Sequence, residues 1–106
     1  MTKYMIHGSY TAAGAAGVLK EGGSGRLKAI EALAASVGGS IDAVYWAVGP
    51  DDIYITCDLP DSKAAAALSL TVGASGAANI TTAELFSAAD VDEIVGRRTA
   101  YRAPGA

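Results

Sequence analysis

Residues 41–59 read IDAVYWAVGPDDIYITCDL. Ile41 to Val48 is β-branched or aromatic at most positions, a composition that suits a pleated strand. Gly49-Pro50-Asp51-Asp52 has the residue types of a tight turn, and strand character resumes from Ile53 to Leu59. Two such runs joined by so short a turn spell a β-hairpin.

Upstream, Gly38-Gly39 stops a helix in which Leu27, Ile30, Leu33 or Ala34 and Val37 recur at helical spacing. Ala12 to Lys20 is helix-prone as well, but Gly22-Gly23-Ser24-Gly25 interrupts the run, so a broken helix is expected. Thr11 is its candidate N-cap, and Lys3 to Ser9 forms a first strand. Downstream, Asp61 or Ser62 caps a second helix that stops at Gly76, and Asn79 to Phe86 forms the fourth strand. Ser87-Ala88-Ala89-Asp90 resembles a capping box, with Asp in place of the usual Glu or Gln, and opens a last helix to about Arg98. The order β-α-β-β-α-β-α is that of an α+β, ferredoxin-like split βαβ arrangement with an extra C-terminal helix. Right-handed crossovers put both main helices on one face of the sheet. Residues 1–98 make a single domain and 99–106 a fraying tail.

The length, 106 residues of which 51% are hydrophobic, suits one core and not two. With 23 Ala and 13 Gly, much of the buried surface comes in small pieces, and a partner subunit is one way to supply the missing burial. Cys57 is the only cysteine, so no internal disulfide is available, which fits a reducing, cytoplasmic setting. No stretch approaches the ~20 apolar residues of a membrane span, so no membrane partner is expected. The net charge of −3 is uneven: residues 31–93 hold ten acids and one Lys, whereas 94–106 hold three Arg and no acid. Without a basic stripe, nucleic acid is not an expected partner.

In strict alternation, the second strand puts Ile41, Ala43, Tyr45 and Ala47 on one side and Val44, Trp46 and Val48 on the other. The third strand sets Ile53, Ile55 and Cys57 opposite Tyr54 and Thr56. Both faces of the sheet therefore need cover, and the helices can cover only one. A second copy packed sheet to sheet supplies the other cover, which predicts a homodimer, or a multiple of one, shaped as a dimeric α/β barrel.

Tyr45-Trp46-Ala47-Val48-Gly49-Pro50-Asp51-Asp52-Ile53-Tyr54, with Asp58-Leu59-Pro60-Asp61 and Ala65-Ala66-Ala67-Leu68-Ser69-Leu70, resembles the GYD-domain family of small bacterial proteins. Gly8-Ser9-Tyr10-Thr11, the Gly22-Gly23 break followed by Arg26, Gly38-Gly39 and Val72-Gly73-Ala74-Ser75-Gly76 fall in the family's order, so the likeness spans nearly the whole chain. At the Gly-Tyr-Asp signature the sequence departs, reading Gly49-Pro50-Asp51-Asp52, so no role of the signature Tyr carries over. The resemblance implies a ferredoxin-like fold of the dimeric α/β-barrel type and brings no single reaction with it.

His7 is the only histidine, placed mid-strand with Met5 and Ser9 on one face, and is the candidate proton carrier; the competing reading is a hydrogen-bonded structural residue. Asp52 is its candidate polar partner in catalysis. Tyr10, Tyr45, Trp46 and Tyr54 are the candidate walls of a site for a flat ligand, set against ordinary interface packing. Arg26, beside the Gly-rich break, is a candidate anion contact, set against a helix break that serves the fold. Asp51, Asp52, Asp58 and Asp61 gather around the hairpin, but Asp51 and Asp52 suit the turn, Asp61 suits a helix cap, and no metal-ligand spacing is present, so neither a metal nor a cofactor is expected. Cys57 reads as a small buried apolar residue. These residues together describe a homo-oligomer that binds a small aromatic or carbonyl-containing molecule, with cofactor-independent acid–base catalysis where there is catalysis at all. The alternative is a structural or regulatory oligomer with a filled barrel and no ligand.

Overall fold

The structure, a computed structural model, describes residues 1–106. Its elements are β1 (Thr2–Tyr10), α1 (Ala12–Ser36), β2 (Ser40–Trp46), β3 (Ile53–Leu59), α2 (Ser62–Ser75), β4 (Ala78–Glu84) and α3 (Ala88–Gly96). The four strands form one antiparallel sheet in the order β2-β3-β1-β4, so the ferredoxin-like α+β order is as expected.

The helix boundaries follow local chemistry. Thr11 accepts the N–H of Gly14, Asp61 that of Ala64, and Ser87 and Asp90 form a reciprocal capping box. Gly76, in the left-handed conformation, ends α2 as expected. The break in α1 falls at Gly22, whose φ of 75° and ψ of 175° interrupt the helix and favour a residue without a Cβ. Strand ends differ from expectation by one or two residues, and α3 stops at Gly96, short of Arg98.

Tyr4 and Ile6 of β1, Ile53, Ile55, Cys57 and Leu59 of β3, Ile30 of α1, and Ala65 and Leu68 of α2 make one buried cluster. Both main helices therefore cover the same face of the sheet. Gly8 brings β1 close to β4: a Cβ there would lie 2.1 Å from the carbonyl oxygen of Asn79.

The faces of β2 depart from the strict alternation expected of Ile41 to Val48. Ile41 pairs with Cys57, Val44 with Ile55 and Trp46 with Ile53, with a bulge between Ile41 and Ala43. Cross-strand partners share a face, so Ile41 joins Val44 and Trp46 on the helix side, while Ala43 and Tyr45 remain on the open side. The extra residue is Asp42, whose carboxylate pairs with Lys3.

The accessible surface is 6983 Å², against roughly 5,500 Å² for a compact monomer of this mass. The radius of gyration is 16.8 Å, where about 13 Å is usual for this length. Exposed large apolar side chains include Leu19 of α1, Tyr45 on the open sheet face, Val48 in the hairpin turn, Leu70 of α2, and Val91, Ile94 and Val95 of α3. No helix is long and apolar enough to cross a membrane.

Candidate functional site

Strand alternation puts Lys3, Met5, His7 and Ser9 of β1 on the open face, opposite the buried Tyr4, Ile6 and Gly8. The β2–β3 turn is drawn against the end of β1 by the Asp52 N–H, which donates to the Gly8 carbonyl at 2.8 Å, and by the Ser9 hydroxyl, which donates to the Pro50 carbonyl at 2.8 Å. Two neighbouring carboxylates then serve different ends. That of Asp52 accepts the Tyr10 backbone N–H at 2.9 Å, and that of Asp51 lies 2.6 Å from His7 Nδ1.

An ionised carboxylate only accepts, so the Nδ1–H of His7 donates to Asp51 and Nε2 is left as the free ring nitrogen. No protein group bonds to Nε2. The imidazole stacks on the Tyr54 ring, with centroids 5.8 Å apart and planes 15° from parallel. Tyr45 pairs with Tyr54 across the hairpin and is largely exposed. A part-exposed imidazole with its tautomer set by a carboxylate, stacked on one phenol ring with a second one strand further along the face, can accept a proton from a flat molecule laid on this face.

Further along the same face, Lys3 bridges Asp42 and Asp58. Hydrogen bonds to these two carboxylates hold its ammonium above the usual lysine range. Cys57, on the opposite face, is fully buried, and burial pushes its thiol up to about 11, which makes it a poor nucleophile.

The remaining expected residues lie on the helix side. Trp46 Nε1 donates to the Tyr10 hydroxyl at 3.1 Å. Tyr10 and Arg26 line an apolar cavity of about 130 Å³ between the sheet and α1 and α2, with Ile30, Leu33, Ile53 and Leu68. Arg26 is also 3.4 Å from Glu21. The sheet thus divides the four aromatic residues: Tyr45 and Tyr54 stand with His7, whereas Tyr10 and Trp46 do not share their face.

Asp51, and not Asp52, is the carboxylate that meets His7. The sequence places both in one turn, and only the hairpin's docking against β1 tells them apart. No group of three or more His, Cys, Asp or Glu side chains converges in a way that could hold a metal ion.

A family model described as the GYD domain matches residues 4–95 of the 106. No curated protein and no solved structure matches the chain.

Proposed function

The chain belongs to the GYD domain family, and from that premise we propose that it acts as a homo-oligomer in which two copies, packed sheet to sheet, bind a small aromatic or carbonyl-containing molecule between them. The His7–Asp51 pair beside Tyr54 on the open face is the observation that supports this reading. Asp51 holds the imidazole in one tautomer, Tyr54 and Tyr45 offer flat apolar surface, and Nε2 takes the proton from an acidic C–H or O–H of the ligand. A second copy excludes water, which strengthens such polar contacts. No cofactor enters this scheme.

A non-catalytic structural oligomer is favoured by a separate feature. Ala66, Ala67 and Leu70 form an exposed apolar stripe on α2 suited to close helix approach between dimers.

The test is native mass spectrometry of the freshly purified chain, followed by amide and imidazole NMR titration with a panel of phenols and aromatic ketones. Binding in the barrel predicts a dimer-based mass and shifts at His7 and Tyr54 that are lost in His7→Ala. A monomer rules out the barrel. A dimer that shifts with no probe, or whose shifts survive His7→Ala, replaces this site with the structural reading.

A further inference from the structure

The helix α3 is well formed at its start and has almost nothing to pack on. Ser87 and Asp90 cap it, and the Leu85 N–H donating to the Lys3 carbonyl at 2.8 Å anchors the chain just before it. Yet all nine of its residues are exposed. Isolated helices shorter than about 12–15 residues are marginal in water, and most helical stability comes from packing an apolar face.

Val91 and Val95 lie four residues apart on one side, 45% and 64% exposed. A groove of about 760 Å³ separates α3 from its own body, and the helix presents Asp90, Glu93, Ile94 and Arg97 to it. Val91 and Val95 are not among the residues that line this groove. The helix therefore turns a mostly polar side to its own chain and its two valines elsewhere. Closing the groove onto the chain's own body would leave the valines in water.

Two features say what covers them. The groove shares Lys3 and Asp58 with the open sheet face, so a copy seated on that face arrives beside α3. The chain also exposes 6983 Å², about 1,500 Å² more than a compact monomer, whereas a standard interface buries about 800 Å² per partner. The surplus also contains the exposed tail after α3, and it exceeds what one partner contributes to a standard interface.

We infer that α3 is an exchanged arm, whose Val91–Val95 stripe packs on a second copy of the chain and closes one rim of the sheet-to-sheet pair. The inference rests on the pairing proposed above and adds a contact the sheet alone does not supply.

The test compares the full chain with its V91K/V95K variant in a dilution series followed by sedimentation. Lysine keeps good helix propensity and replaces the apolar stripe with two charged side chains that resist burial. The dimer dissociation constant is expected to rise about tenfold or more, an effect of at least one decade in affinity. An unchanged dissociation constant overturns the arm and leaves the sheet pairing intact, while a monomeric wild type overturns both. A nitroxide on Asp92→Cys gives a second readout, since the buried Cys57 stays unlabelled. Mixed with isotope-labelled chain, it broadens amides of the other copy if the arm is exchanged. Broadening that appears when the nitroxide-bearing chain itself carries the isotope, and is absent from the labelled copy in the mixed sample, overturns the inference, also where the double variant fails to fold.

Discussion

His7 Nδ1 lies 2.6 Å from the carboxylate of Asp51, a residue 44 positions away that the hairpin carries back to the end of β1. The contact makes a definite prediction about the imidazole. Neutral His7 is expected to hold its proton on Nδ1, with Nε2 unprotonated, as read by two-bond nitrogen–proton correlation. Asp51→Ala removes the acceptor and is expected to shift the mixture toward the Nε2–H form that free imidazoles favour. Finding Nε2–H as the main form in the wild-type chain would sink the proton-acceptor role.

The neighbouring aspartate should behave differently. Asp52 accepts the Tyr10 N–H and ties β1 to the hairpin, so Asp52→Ala leaves that donor unpaired. A loss of about 1–3 kcal/mol is expected, with faster hydrogen exchange at Tyr10. Asp51→Ala, which frees only a half-exposed imidazole, is expected to cost under about 1 kcal/mol. Denaturant titration of the two variants separates the roles, and equal losses would contradict the division.

How far these features were legible depends on how local they are. The caps at Thr11, Asp61 and Ser87–Asp90 each join residues three positions apart, so residue type and spacing reveal them. The break at Gly22 and the stop at Gly76 need a conformation that glycine adopts most readily. The bulge at Asp42 is different, because its extra residue is drawn toward Lys3 from another strand. Alternation assigned Ile41 to the wrong face for that reason. The same limit hid the partner of His7: Asp51 and Asp52 are adjacent, and register and turn docking decide which one reaches the imidazole.

Close strand approach gives a third prediction. A Cβ at Gly8 would meet the Asn79 carbonyl oxygen at 2.1 Å and the Ile80 Cα at 2.8 Å, both backbone atoms that cannot swing away. Gly8→Ala is expected to cost about 3 kcal/mol or more, by forcing β1 and β4 apart. Gly17, inside α1 with nothing within 4 Å, is the control. Gly17→Ala should stabilise by about 0.5–1 kcal/mol. Thermal unfolding of the two variants checks both signs.

Alkaline pH supplies the last. Burial raises the Cys57 thiol from 9.0 to about 11, so between these values the unfolded chain loses a proton that the folded chain keeps. The unfolded state then binds fewer protons, and stability must fall as pH rises, by about 2 kcal/mol across the window for this group. Tyr4, raised by burial and by Glu84 and Asp61, acts in the same direction from pH 10.0 upward. Lys3, raised by its hydrogen bonds to Asp42 and Asp58, contributes stability below 10.5 that is lost as pH passes its folded value. Cys57→Ala removes the first of the three outright and, for Tyr4, takes away only the smallest of the causes that raise it. Its stability relative to wild type should therefore improve between about pH 9 and 11, on the same linkage argument. Denaturant midpoints measured for both chains at neutral pH and at pH 10 test this, and parallel losses would mean that the thiol ionises as freely folded as unfolded.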